Sequence, residues 1–262
     1  MQKAADWRIA WVIAGYALRE ALRNRILWIA LFFAIIGVGL AAFIGDIAVI
    51  ENKIVEAAFL ATAYRFCAVL VLLVLVISTL VREFNDKCIE LYLSLTISRA
   101  LYLAGKTLGF FMVGILLAAV FTLVLLLYAE PAAAALWFLS LSCELMIVTS
   151  VSIFCVMTFN QQIPAAFAAA FFFYLICRAA DSIVLVSNSD ILLHTTGSAV
   201  LSFVVENLAA VLPSLARFTQ TDWVAYGSAP FAEALPLIVA QTIIYTTLIG
   251  AATLIDFSRK NL

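Results

Sequence analysis

Six stretches of the chain are apolar for long enough to cross a bilayer, at about 26–45, 62–81, 107–128, 132–157, 164–186 and 236–257. A hydrocarbon core about 30 Å thick requires ~20 such residues, because a helix rises 1.5 Å per residue. In lipid every backbone N–H and C=O must find its partner within the protein, which leaves helices or closed barrels. A barrel strand alternates apolar and polar positions, and runs such as Val69 to Ile77 show no alternation. The pattern predicts an all-α integral membrane protein with six transmembrane helices.

A seventh segment precedes the first span. Between Trp7 and Arg25, the residues Trp7, Trp11, Ala14 and Leu18 recur at helical spacing, and Arg8, Arg19 and Arg23 form a separate stripe. This predicts an amphipathic helix over 7–25 in the membrane interface. The alternative is an extension of the first span into the cytosol. Mixed polarity in this segment, with Asp6, Arg19, Glu20 and Arg23, argues against a cleavable signal peptide.

Composition agrees with the pattern. Of 262 residues, 66% are hydrophobic and 12% charged, against roughly 45–50% and about 25% in a soluble domain; the mean hydropathy is +1.14. The net charge of −1 is uninformative, but its placement is not. Eleven of the fifteen Lys and Arg residues fall within 3–25, 82–106 and the last four positions. Basic segments stay in the cytoplasm, so these three regions, and with them both termini, are expected there. Outside lie an acidic loop (Asp46, Glu51, Lys53, Glu56), a turn at Glu130-Pro131 and a long region over 187–235. Within that region Ser198 to Leu212 is apolar but too short to cross. It reads as helices on the outer surface, ended by Pro213, or as a re-entrant segment. No soluble nucleotide-binding domain fits, so the chain is read as a single transmembrane domain over 1–262.

The sequence offers little catalytic chemistry. Cys67, Cys88, Cys143, Cys155 and Cys177 show no metal-ligand spacing, and none lies in a segment expected outside, so no disulfide is predicted. His194 is the only histidine and reads as a surface residue. Ala100 to Thr107 fits a relaxed phosphate-loop pattern, yet no strand precedes it and a span follows, so it is not read as a nucleotide site. Gly105, Gly109 and Gly114 suit close helix approach. Charged residues within the spans are more telling, since each is costly in lipid unless paired. These are Arg65, Glu144, Arg178 and Asp181. Glu144 and Arg178 fall at similar depth, and Asp181 stands one turn from Arg178. The residues predict an ion pair of Arg178 with Asp181 or Glu144 that locks neighbouring spans. The alternatives are a solvated translocation cavity or proton-coupled chemistry.

The 82–106 loop begins charged, passes through Ile89, Leu91, Leu93 and Leu95 near Glu90 and Ser94, and returns through Gly105-Lys106. It reads either as a short helix parallel to the membrane offered to a cytosolic partner or as an ordinary basic loop. Several features in chain order carry a resemblance. They are Arg19-Glu20-Ala-Leu-Arg23-Asn24-Arg25 before the first span, and Glu83 with Glu90-Leu-Tyr-Leu-Ser94-Leu-Thr-Ile-Ser98-Arg99 and Gly105-Lys106. Leu212-Pro213-Ser214 with Phe218 and the terminal Phe257-Ser-Arg-Lys-Asn261 complete the set. With these the whole chain resembles the six-span permease subunits of the type-2 ABC exporter family, the group that includes the permease for nitrous-oxide-reductase maturation. It departs from the family pattern at Lys87-Cys88, where Gly-Thr is usual, and at Thr96, near the usual Pro.

The resemblance implies a transport subunit of the inner membrane without catalysis or bound cofactor of its own. ATP and Mg would be held by a separate cytosolic ABC ATPase. It also implies a second permease copy or a related permease, contact with membrane lipid, and room for a periplasmic accessory protein; nucleic acid is not a partner. The 82–106 loop would be the coupling helix and the 7–25 segment the elbow. Docking residues would be Arg19, Arg23, Arg25, Glu83, Phe84, Lys87, Glu90, Leu91 and Ser94. The rival readings are a gradient-driven secondary transporter and a membrane-embedded enzyme. The second would need clustered His and acidic ligands, or a nucleophile with its base, that the sequence does not supply.

Overall fold

The computed structural model describes residues 2–23, 26–47, 52–86, 98–159, 162–187, 212–227 and 231–259. These form α1 (Gln2–Arg23), α2 (Ile26–Ile47), α3 (Asn52–Asn85), α4 (Arg99–Leu125), α5 (Pro131–Thr158) and α6 (Ile163–Ser187). A 3₁₀ turn (Leu215–Arg217), α7 (Thr221–Ala225) and α8 (Phe231–Arg259) follow. No strand occurs among the described residues. Six helices, α2 to α6 and α8, are long and apolar enough to span a membrane, so the chain is an all-helical, multi-pass membrane protein.

The helices start where local chemistry allows, often earlier than hydrophobicity alone predicts. Ser98 is extended (φ −68°, ψ 144°) and its hydroxyl accepts from the Leu101 N–H, capping α4 at Arg99 and not at 107. Eight residues assigned to the loop are therefore the first two turns of α4. Glu130 precedes Pro131 at the first position of α5, where a missing N–H costs nothing. The α3 helix begins at Asn52, so Lys53 and Glu56 stand on its opening turns and not in a loop. In α8 the helix starts at Phe231 and takes Pro236 into its second turn. Apolar windows miss such starts, because polar residues lengthen a helix at no cost once it leaves lipid.

The bundle packs around α5, which touches α3, α4, α6 and α8. Along α5 Trp137, Leu141, Leu145 and Met157 are fully buried, as are Leu72, Leu73 and Val76 on α3. By contrast, α2 and α8 expose large apolar side chains, among them Trp28 (72%), Phe43 and Leu248. Such surfaces suit lipid and not water. Tyr64 ties α3 to α2 by donating to the Ala34 carbonyl at 2.8 Å, and its ring stacks on Phe121 of α4 at 5.0 Å.

The amphipathic α1 packs chiefly along α4. Its packed face is Ala10, Ile13, Ala14, Ala17 and Ala21, all buried, and Trp11 is 55% exposed. Of the apolar stripe expected to face lipid, Trp11 is exposed, whereas Ala14 is on the packed face and Leu18 packs partly against the core. Small residues win because they allow the backbones to approach. A Cβ on Gly109 would stand 2.6 Å from Ala17 Cβ and 3.0 Å from the Ala14 carbonyl oxygen. The Trp7 side chain, residues 87–97 and residues 188–211 lie outside the described residues. With them go the predicted coupling helix and nearly all of the apolar segment expected over 198–212.

Candidate functional site

The spans run alternately, so the bundle has two chemically distinct ends. One carries Arg82, Arg99, Lys106 and Arg259 and is called the basic end. The other carries Asp46, Glu56, Glu130, Asp222 and Glu233 and is called the acidic end. Each end holds a polar cluster built from several helices.

At the basic end the cluster centres on Lys106, which is only 4% exposed although it is a lysine. Two turns into α4, its ammonium donates to Glu83 Oε1 at the end of α3 and lies 3.6 Å from Glu20 Oε2 on α1. Tyr102, one turn before Lys106, donates to the other oxygen of Glu83 at 2.7 Å. The Phe110 ring lies 5.7 Å from the ammonium. Burial pushes the Glu20 carboxyl above its ordinary value, and the Glu83 charge pushes the same way against Lys106. The cluster extends to α8: the Tyr102 and Phe257 rings lie 6.4 Å apart, and Arg99 stacks over Phe257 at 5.8 Å. Arg99 also donates to the carbonyls of Phe257 and Ser258 at 3.1 and 3.2 Å, so a cation closes the C-terminus of α8. Four helices are thereby tied at one end. The Ala100–Thr107 segment is helical throughout and forms no phosphate-cradling loop.

At the acidic end the segment 212–227 is seated among the spans. Pro213, Leu215, Phe218, Thr219, Trp223 and Val224 are all buried. Its irregular backbone is satisfied by side chains from the bundle: Arg178 donates to the Leu215 carbonyl at 2.8 Å, Ser140 to Phe218, and Arg65 to Thr219. Non-helical backbone at membrane depth is tolerated only when buried in protein in this way. The other buried hydroxyls of α5, on Ser142, Thr149, Ser150 and Ser152, bond back to carbonyls one turn earlier in their own helix. Ser140 alone among these reaches across.

The charged members are Arg65, 1% exposed on its side chain, and Glu144, fully buried. Their contact is 3.9 Å between Nε and Oε2, while the Thr219 hydroxyl donates to the same Oε2 at 2.7 Å. Tyr174 is buried beside them on α6. Of the two expected partners of Arg178, Glu144 is not one: Glu144 faces Arg65, and Arg178 donates to a main-chain carbonyl. Arg178 and Glu144 match in depth along their helices, but packing turns Glu144 toward α3. The Asp181 side chain lies outside the described residues.

Of the predicted docking residues, Glu83 and Phe84 are in the basic-end cluster or beneath it, and Arg19 and Arg23 are exposed on α1. Arg25, Lys87, Glu90, Leu91 and Ser94 lie outside the described residues. Sequence reasoning does not pick out Lys106, Tyr102 and Glu20 as site residues. The available signal is the i, i+4 spacing of Tyr102 and Lys106, which puts two donors on one helical face. Thr219 gives no signal, because it sits in a region read as lying outside the membrane. Among the described residues no three His, Cys, Asp or Glu stand close enough to hold a metal ion. Cys67, Cys143, Cys155 and Cys177 are free thiols. No model of a known protein family matches the chain, and no curated protein matches it.

Proposed function

We propose that the chain is the membrane-spanning permease subunit of an ABC exporter, driven by a separate ATPase that docks at its basic end. The basic end is then cytoplasmic, in accord with the charge rule, and both termini lie on that side of the inner membrane. The observation that carries the reading is the Lys106 cluster. Glu83 stands at the head of the loop that would receive the ATPase, and it is bonded to α4 through Lys106 and Tyr102 and faces α1 through Glu20. A displacement of that loop would thus be passed to three helices at once, and through Arg99 and Phe257 to a fourth. A transport subunit without a nucleotide-binding domain needs such a connection. The apolar spans favour a lipidic, amphipathic or peptide-like cargo, or force transmitted to a periplasmic partner. A second permease copy would complete the transporter.

The buried Arg65–Glu144 pair favours one rival, a gradient-driven transporter, because intramembrane charges often serve ion coupling. One experiment separates the two. The tagged chain is purified from its own cells in mild detergent, and ATPase activity is measured on the eluate. An ATPase recovered at one-to-one ratio supports the exporter. It should be lost from the variant with Arg19→Glu and Arg23→Glu, two exposed changes that leave the Lys106 cluster intact. A chain that elutes alone and transports in liposomes without ATP sinks this reading.

A further inference from the structure

We propose that Thr219 is a removable wedge between Arg65 and Glu144, so that the 212–227 segment is a gate with two alternative hydrogen-bonded states at the acidic end. The inference goes beyond the permease reading and does not rest on it, since it concerns the bundle alone.

A buried arginine and carboxylate ordinarily close into a fork, with two parallel N–H···O bonds. Here they do not. Arg65 Nε stands 3.9 Å from Glu144 Oε2, and the guanidinium gives its Nη2 hydrogen to the Thr219 carbonyl. Glu144 Oε2 is taken by the Thr219 hydroxyl at 2.7 Å. One residue thus occupies both charged groups, by its carbonyl on one side and its hydroxyl on the other. Arg65 Nε and Nη1 are left buried and without a hydrogen-bond partner, while the Tyr174 hydroxyl stands against Glu144 from α6. Orphans of this kind are costly. Withdrawal of Thr219 lets the guanidinium close on both oxygens of Glu144 through Nε and Nη2, which gives the Nε hydrogen an acceptor and turns Nη2 from a neutral carbonyl to a charged oxygen. The Thr219 carbonyl and hydroxyl would then turn to water at the acidic end.

The segment is also built to leave. Its main-chain hydrogen bonds are local, from Leu215 to Pro213, Arg217 to Ser214, Phe218 to Leu215 and Tyr226 to Asp222. Among the described residues, its polar bonds to the spans run through side chains, so no backbone ladder has to break. Gly227 (φ +65°) ends the segment in a conformation that glycine adopts freely, which suits a hinge. Buried Leu215, Phe218 and Trp223 oppose withdrawal and hold the closed state. Two packings of comparable energy, one holding Thr219 and one holding the direct ion pair, are the requirement for a switch.

The test is hydrogen exchange of peptides covering residues 213–226, with the full chain in nanodiscs. Thr219→Val keeps the shape but removes the hydroxyl, so exchange of the segment should rise about tenfold or more, the loss expected for a hydrogen bond to a charged group. Glu144→Gln keeps a neutral acceptor for the Thr219 hydroxyl, so it weakens one bond of the closed state while it removes both charged bonds of the fork, and exchange should fall below wild type. Opposite signs in the two variants are the signature of a wedge. If both variants speed exchange, the cluster merely supports the fold and the proposal is overturned; no change in Thr219→Val overturns it equally. Should Thr219→Val fail to fold, Arg65→Lys takes its place: a lysine cannot form the fork, so slower exchange supports the wedge and faster exchange refutes it. Either result leaves the ATPase reading standing or falling on its own experiment.

Discussion

Replacing Glu83 by Ala tests the basic-end cluster most severely. The change leaves the Lys106 ammonium, 4% exposed, with only the half-exposed Glu20 at 3.6 Å, and it deprives the Tyr102 hydroxyl of its acceptor. Removing one partner of a buried pair costs about 3–5 kcal/mol. Glu20 can move closer and recover part of this, so the expected loss is about 3 kcal/mol, at the low end of that range. For a chain of this length, 1 kcal/mol lowers Tm by about 2–4 °C, so the expected drop is roughly 6–12 °C. Intrinsic-fluorescence melting in a fixed detergent measures it. The double variant Glu83→Ala with Lys106→Met should recover most of the loss, because removing both charges leaves nothing buried and unpaired. A single variant that melts within about 2 °C of wild type, or a double variant worse than either single one, would show that Lys106 is not a desolvated charge and would refute the reasoning.

Gly109→Val should detach α1 from α4, since its branched side chain would meet the Ala17 Cβ and the Ala14 main chain; Gly15→Ala, with open space around it, is the matched control. Limited proteolysis should cut α1 in the first variant and spare it in the second. The Glu20 carboxyl is held above its ordinary value by burial first and by Glu83 second, against the pull of Lys106. A raised carboxyl pKa favours the folded state while the group is protonated, and that advantage is lost as pH rises through the folded-state value. Glu20→Gln should therefore melt higher than wild type at neutral pH, and the difference should shrink on acidification to below the ordinary value of 4.5; a gap that widens on acidification would contradict the sign.

How much of this is legible in the sequence depends on which force sets each feature. The six spans follow from apolar length, and the structure contains six such helices. Helix starts at Asn52, Arg99 and Phe231 escape that signal because they depend on a Ser98 cap or on polar turns outside lipid, to which hydropathy is blind. The packed face of α1 is hard to read because Ala and Gly make the contact by being small, and small residues stand out neither as apolar nor as polar in the pattern. The acidic-end cluster is half legible. Arg65 and Glu144 stand out as charges in apolar spans, but their pairing depends on rotation of the helices about their axes, which depth along each span does not fix. Thr219 enters through a segment whose polarity looks external. It lies inside because three side chains satisfy its carbonyls, a long-range arrangement with no local sequence trace.

The two clusters are connected by one element. Arg65 and Glu83 both stand on α3, 18 residues apart, which is five turns at 3.6 residues per turn and roughly 27 Å of axial rise. They therefore lie on the same face of a helix that is unbroken from Asn52 to Asn85, with no proline within it. Between them Ala68, Leu72, Val76 and Leu80 are buried on that helix, so the face joining the two charges is packed along its length. A close-packed helix moves as a body and does not bend to absorb a push at one end. A tilt of α3 at Glu83, about a pivot in its buried middle, shifts Arg65 in the opposite sense by a similar distance. The contact it would change first is the one between Arg65, Thr219 and Glu144, where the separation that decides between a long contact and a closed fork is about 1 Å. The two clusters thus share one unbroken, packed helix, and on the proposed reading that helix is the path by which a push at the basic end would reach the Arg65–Thr219–Glu144 contacts.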